Sequence, residues 1–199
     1  MKVIVVGGTG TLGKAVVKEL SPRHDIVTAG KSRGDLQVDI TSTASIRAMF
    51  EQVGRFDALV STTGSVHFGA FEEMDERLYD IGIRSKLMGQ VNLVLIGRDY
   101  VNDNGSFTLT SGILSHDPIR FGSSASMVNG AIDSFVIGAA IEMKRGIRLN
   151  VVSPGVVQES MDDYAPFFRG HEPVPAARVA LAYSKSVEGL LNGQVFRVI

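Results

Sequence analysis

The feature that most limits what this chain can fold into is a glycine turn set between an apolar run and a helical pattern, all within residues 1–20. Val3, Ile4, Val5 and Val6 are contiguous and β-branched, which is how a strand buried on both faces reads. Glycines follow at 7, 8, 10 and 13, and then Leu12, Ala15, Val16 and Leu20 recur at helical spacing. Strand, glycine turn and helix form the context that a dinucleotide fingerprint requires. Gly7 lets the chain turn off the strand, Gly10 lets backbone approach a diphosphate, and Gly13 lets the helix pack close to the sheet. Amides at the start of a helix have no partner within it and suit an anion. The bland alternative is a buried strand ending in a flexible turn; the flanking strand and helix favour nucleotide binding.

The rest of the chain alternates short apolar strands with helices. Strands are predicted near 25–30, 36–40, 57–61, 105–111, 148–153 and 194–199. A helix with Ile46, Met49, Phe50 and Val53 on its apolar face follows a cap at Thr41 or Ser42. A long helical region spans roughly 80–100, and another runs from about Ser123 to Lys144. Pro175 opens a last helix with Val179, Ala180 and Tyr183 facing inward. This alternation predicts one α/β domain over residues 1–199: a doubly wound, Rossmann-type parallel sheet of seven strands in the order 3-2-1-4-5-6-7, with helices on both faces. In such a sheet the ligand crevice lies at the carboxyl ends of the strands. The unusual loops all fall there, at 7–13, 30–33, 39–40, 61–64, 111–118 and 154–160.

Composition narrows the function. The net charge of −1 gives no global field for nucleic acid or membrane, and neither is expected as a partner. The absence of cysteine excludes disulfides, thiolate nucleophiles and Cys-ligated metal, and no metal site is expected. The opening MKVIVV is too short for a signal peptide and leads straight into the glycine turn, so the expected location is cytoplasmic. After the second strand the chain reads Gly30-Lys31-Ser32-Arg33, where an NAD site would carry a carboxylate for the ribose hydroxyl. Two cations suit a 2′-phosphate instead, so NADP(H) is favoured over NAD(H), with Asp35 nearby as the opposing observation.

Taken together, these motifs resemble the short-chain dehydrogenase/reductase family over almost the whole chain. Gly7-Gly8-Thr9-Gly10-Thr11-Leu12-Gly13 resembles its cofactor loop. Asp39-Ile40 sits where the family holds the adenine ring, and Ser61-Thr62-Thr63-Gly64 stands for its Asn-Asn-Ala-Gly stretch. Asn150-Val-Val-Ser-Pro154-Gly155 resembles its Asn-x-Val-x-Pro-Gly signature, with Val157 just beyond, and Ser111 matches its catalytic serine. The resemblance implies hydride transfer between a nicotinamide cofactor and a small carbonyl or alcohol substrate. It also implies a homodimer or homotetramer through the helices near 82–100 and 123–144.

The family's Tyr-x-x-x-Lys pair is missing. Ser123-Ser-Ala-Ser-Met127 resembles Tyr-Ser-Ala-Ser-Lys with both key residues replaced, and Lys86 takes the place of the family's asparagine in Val-Asn-Leu-x-Gly. A serine hydroxyl is a far weaker acid than a phenol, so the proton for a developing alkoxide needs another source. Lys86 is the first candidate; His67 and His116 are further ones. Asp162-Asp163 and Glu72-Glu73 read as solvated helix starts. The segment between Gln158 and Gln194 is short for a substrate lid, which predicts an open or small pocket walled by Tyr164, Phe167 and Phe168. Two further readings stay open: a catalytically silent nucleotide-binding or sensing protein, and an assembly subunit that reuses the fold.

Overall fold

The computed structural model describes residues 1–199. In chain order it contains β1 (Lys2–Val6), α1 (Thr11–Leu20), β2 (Asp25–Gly30), β3 (Leu36–Gln37), α2 (Thr43–Val53) and β4 (Phe56–Ser61). Then come α3 (Glu76–Gly82), a π-helical turn (Ile83–Leu87), α4 (Met88–Gly97), β5 (Val101–Thr110) and α5 (Ser123–Ala140). The chain finishes with β6 (Arg148–Pro154), α6 (Met161–Tyr164), α7 (Ala176–Glu188) and β7 (Val195–Val198). The seven strands form one sheet in the order β3-β2-β1-β4-β5-β6-β7, with every neighbouring pair parallel.

Side-chain alternation along the strands divides the interior into two layers. Ile4 and Val6 of β1 join Leu59, Phe107, Leu109, Leu149 and Val151 under α2, α4 and α5. Val3 and Val5 point the other way, to Ala58, Val60 and Val152, where they meet Val16 and Leu20 of α1 and Val179, Tyr183 and Val187 of α7. All four residues of Val3–Val6 are fully buried, as a continuous β-branched run requires in a parallel strand covered on both faces. A third cluster of Ile113, Leu114, Ala125, Val156 and Phe168 sits beyond the strand ends and forms a floor for the loops there.

Several element boundaries differ from the sequence expectation, among them α5, which ends at Ala140 and not near Lys144. β3 ends at Gln37, so Asp39 and Ile40 lie past the strand; Asp39 accepts from Thr41 N and Thr41 Oγ1 instead of joining a ladder. β5 begins at Val101, with a register irregularity between its pairings to Phe56 and Ala58. The region near 80–100 is two α-helices joined by the π-turn. Buried Gln90 braces it: its Nε2 donates to Lys86 O at 3.0 Å and to Thr110 O at 2.8 Å, while Thr110 N donates to its Oε1 at 2.9 Å. The π-turn is thereby fixed to the end of β5.

Candidate active site

Two depressions meet at the carboxyl ends of the strands and share Gly64 and Ser65. The narrower, about 210 Å³, is lined by Val6, Gly30, Lys31, Val38, Asp39, Ile40, Thr41, Thr63 and Ser85. The wider, about 460 Å³, is bounded by Lys86, Ser111, Ala125 and Asn129, by Pro154 at the end of β6 with Gly155 and Val157 beyond it, and by Phe68, Tyr164 and Phe168 at its rim.

The glycine turn stands between β1 and α1. Gly7 N donates to Ala29 O at 2.7 Å and its φ of +86° lies where a side chain is strained. A Cβ on Gly13 would come within 2.0 Å of Gly7 O, so helix and turn touch through backbone alone. The first helical bond is Lys14 N to Gly10 O; the amides of Thr11, Leu12 and Gly13 have no acceptor in the chain, and Gly10 provides no side-chain cap. The result is a run of free N–H groups flanked by glycines at 10 and 13.

Around the narrower depression, Lys31 Nζ sits 2.9 Å from Asp39 Oδ2, and together with the Thr41 bonds this holds the Asp39 carboxyl down to about 2. The Thr41 hydroxyl does most to lower it, followed by Lys31. Asp35 faces Thr28, whose amide and hydroxyl both donate to it at 2.8 Å, so its carboxylate is committed to the strand edge. Ser32 and Arg33 are exposed, and Arg33 makes no side-chain hydrogen bond or ion pair. Ser61 is fully buried; its Oγ pairs with Thr63 Oγ1 at 2.9 Å and does not reach either depression. Thr62 is held at Val6 O through both its amide and its hydroxyl, which leaves Thr63 to line the crevice.

In the wider cavity, Lys86 is the one basic side chain among the lining residues. Although part of Lys86 reaches the cavity surface, its Nζ is enclosed and donates to Ser111 O at 3.0 Å. Burial pushes the ammonium down to about 8, opposed by the favourable field of Asp133. The loop after β4 lies against it: a Cβ on Gly64 would approach Lys86 Cα and Cβ to 2.6 and 2.7 Å, and Gly64 has φ of +120°. Ser111 Oγ and Asn129 Oδ1 are buried and have no partner.

Ser123 is a correction to the sequence expectation. Its Oγ accepts from Tyr79 OH at 2.9 Å, and it lines a separate depression with Phe71, Pro118, Ile119 and Phe121. Met127 is 43% exposed and faces away from the cavity. Successive helical residues are about 100° apart, so positions two residues on from Ser123 and Met127 turn to the opposite side. Ala125 and Asn129 occupy those positions, and both line the cavity. Sequence inspection missed them. The signal was a polar Asn129 on the same helical face as Ala125, Ile132 and Val136, all buried.

His67 and His116 do not line the cavity; His116 is exposed and its Nδ1 lies 3.1 Å from Ser115 Oγ. Tyr164 and Phe168 form the expected apolar wall, while Phe167 packs edge-on against Phe121 outside it. Phe121 itself has φ of +68°, an unusual state for a bulky residue.

The sheet order, the glycine cradle and the paired depressions match a known design. Residues 5–187 match a family model described as enoyl-(acyl carrier protein) reductase. The chain belongs to the short-chain dehydrogenase/reductase family. This short-chain dehydrogenase/reductase is similar, at 52% identity and TM-score 0.99 over 100% of both chains, to the protein lin1944 from Listeria innocua. A small-chain dehydrogenase solved in complex with NADPH superposes with TM-score 0.89 at 28% identity, over 100% of this chain and 96% of that one. An uncharacterized oxidoreductase of Methylorubrum extorquens is 28% identical over 66% of this chain, and a short-chain dehydrogenase/reductase of Pestalotiopsis microspora is 29% identical over 66%. Those alignments span about half of the relatives' own length, 55% and 52%. No helix of this family member is long and apolar enough to cross a membrane.

Proposed function

We propose that the chain is an NADP(H)-dependent oxidoreductase that transfers hydride between a nicotinamide and a small carbonyl or alcohol, using Lys86 in place of the missing phenol. The observation that carries this reading is a partnerless amide cradle at α1, packed through Gly7 on Thr63 of the narrower depression, at the same sheet edge as a cavity that holds one enclosed ammonium. The cradle fits a diphosphate: free N–H groups converge where Gly10 and Gly13 leave no side chain in the way. Ile40 and Val38 offer the apolar wall for an adenine ring. Asp35 is committed to Thr28, and Arg33 is free to take a 2′-phosphate through two parallel hydrogen bonds. The NADPH-bound relative supports the same choice.

When bound, the nicotinamide supplies the hydride. Lys86 holds the proton. One N–H of the ammonium is fixed to Ser111 O, and two remain to meet a substrate oxygen in the cavity. As negative charge grows on that oxygen, the ammonium stabilises it and donates a proton, then regains one from water. Ser111 Oγ, buried and unpaired, supplies a second hydrogen bond after a rotation about its side-chain bond. Pro154, Gly155 and Val157 close the opposite wall.

A second reading has its own observation. Ala125 offers no acid, so the chain is a nucleotide-binding protein without turnover if Lys86 does not serve. Calorimetry with NADPH and NADH, followed by NADPH oxidation over a panel of aldehydes and ketones, separates the two. Binding with turnover that Lys86→Met abolishes supports the enzyme. Binding without turnover on any substrate supports the silent protein, and no binding removes both.

A further inference from the structure

The cavity floor receives one ammonium and one carboxamide, and they arrive from different helices. Lys86 enters from the π-turn ahead of α4, and Asn129 enters from α5. The family motifs that the sequence resembles place these groups the other way round. An asparagine belongs at position 86, and a lysine belongs four residues after the tyrosine on the helix that follows β5. The cavity shows which pair on α5 holds the tyrosine and lysine places: Ala125 and Asn129, four residues apart on one face, line it, whereas Ser123 and Met127 do not.

We propose that Lys86 and Asn129 are a transposed pair, in which the ammonium has moved from α5 to the π-turn and the amide from the π-turn to α5. The functional half of this inference rests on the reading of the crevice as a nicotinamide-dependent site. The transposition itself is a statement about how much charge the floor holds.

The local electrostatics support a single cation there. Asp133 lies one helical turn beyond Asn129, and its Oδ1 is buried without a partner. Its carboxylate acts on Lys86 across the junction between α5 and the π-turn. A lysine at 129 in addition to Lys86 would bury two ammonium groups against one carboxylate. An asparagine at 86 with Asn129 kept would leave that carboxylate and the Ser111 carbonyl without a cation. Either state leaves the charges around the floor less balanced than a single ammonium near the partly buried Asp133, and an unbalanced buried ammonium is costly. Gln90 holds the carbonyl of Lys86 and both main-chain polar groups of Thr110 through its side-chain amide, and so fixes the backbone from which the ammonium enters. Ala125 completes the exchange, since a methyl group at the tyrosine's place leaves room for the ammonium to reach a substrate oxygen directly.

The test is a double-mutant cycle on the full chain with Lys86→Asn, Asn129→Lys and the two combined. Thermal unfolding without ligand is read beside NADPH-dependent turnover. Each single variant is expected to melt about 5 °C or more below the native chain, and the double to recover more than half of the larger loss. Both singles are expected to lose at least about tenfold in turnover, with the double returning to within about tenfold of the native rate. A double variant that melts at the sum of the single losses overturns the proposal. So does one whose melting recovers while its turnover stays with the worse single. If the native chain shows no turnover, the proposed activity fails, and the thermal cycle alone decides the transposition. Should Asn129→Lys fail to fold, Lys86→Gln with Asn129→Lys serves the same purpose: a folded combination supports the proposal, and an unfolded one overturns it.

Discussion

The Nζ of Lys86 donates to the main-chain carbonyl of Ser111 at 3.0 Å, tying a cation from one helix to the end of the strand that forms the cavity floor. Because the same stretch is clamped by Gln90, the ammonium is held at a defined depth with little freedom to swing into solvent.

Replacing Lys86 by Met is expected to lower turnover by about 10² to 10⁴, the usual worth of general acid–base catalysis, with NADPH affinity changed far less. In the native chain the rate of carbonyl reduction should fall as pH rises through about 8, because the proton-holding form of Lys86 is lost there. Steady-state kinetics from pH 6 to about 10 check both; a flat profile or an unaffected Met variant contradicts the role.

Lys86 also predicts a stability profile of unusual sign. Its ammonium is depressed from 10.5 in the unfolded chain to about 8 in the fold. Between those values the unfolded state binds more protons, so stability rises with pH across that window. Every tenfold weakening of proton affinity on folding is worth about 1.4 kcal/mol, which makes the total a few kcal/mol as an upper figure for a group with partial access to the cavity. Urea denaturation at pH 7.5 and pH 10 should show this contribution in the native chain and its absence in Lys86→Met. An equal pH dependence of stability in the two proteins would remove it.

Gly13→Ala is expected to weaken dinucleotide binding by at least about tenfold, because its Cβ would collide with Gly7 O at 2.0 Å and push helix and turn apart. Calorimetry measures it, with circular dichroism to show that the sheet persists. Unchanged affinity would mean the cradle is not the diphosphate site.

Arg33→Ala should weaken NADPH by about ten- to a hundredfold and leave NADH nearly unchanged, since charge-assisted hydrogen bonds are worth about 1.5–3 kcal/mol. Lys31→Ala should matter less, because Lys31 is already paired with Asp39. Titrating both nucleotides into each variant decides it; parallel losses for NADPH and NADH would place the 2′-phosphate elsewhere.

The outer faces of α4 and α5 are expected to form a homo-oligomer. Leu95, Met127 and Ile137 are 41%, 43% and 55% exposed, and Ile141 just beyond α5 is 86% exposed, an apolar surface that a partner would cover. Light scattering at micromolar concentration should give a dimer or tetramer, and Ile137→Lys with Ile141→Lys should shift it to monomer. A native monomer would overturn the expectation.

Much of this molecule was written in local patterns. Val3–Val6, the glycines at 7, 10 and 13, and the alternation of strands with helices pointed to a parallel, doubly wound sheet, because burial on both faces and a backbone-only turn leave few other solutions, and the resemblance to a known family supplied its order. Pro154, Gly155 and Ser111 were likewise legible as residues at the strand ends. What only the tertiary structure decided is rotation and pairing. A shift of two residues along α5 turns Ser123 away from the cavity and Asn129 into it, and no local pattern sets that angle, since α5 is apolar on more than one face. The same holds for Lys86, whose inward course depends on a π-turn clamped by Gln90 from a distant strand, and for Asp35 and Asp39, whose carboxylates are claimed by Thr28, Thr41 and Lys31. Sequence specifies which groups are present; side-chain direction is fixed by packing between elements far apart in the chain.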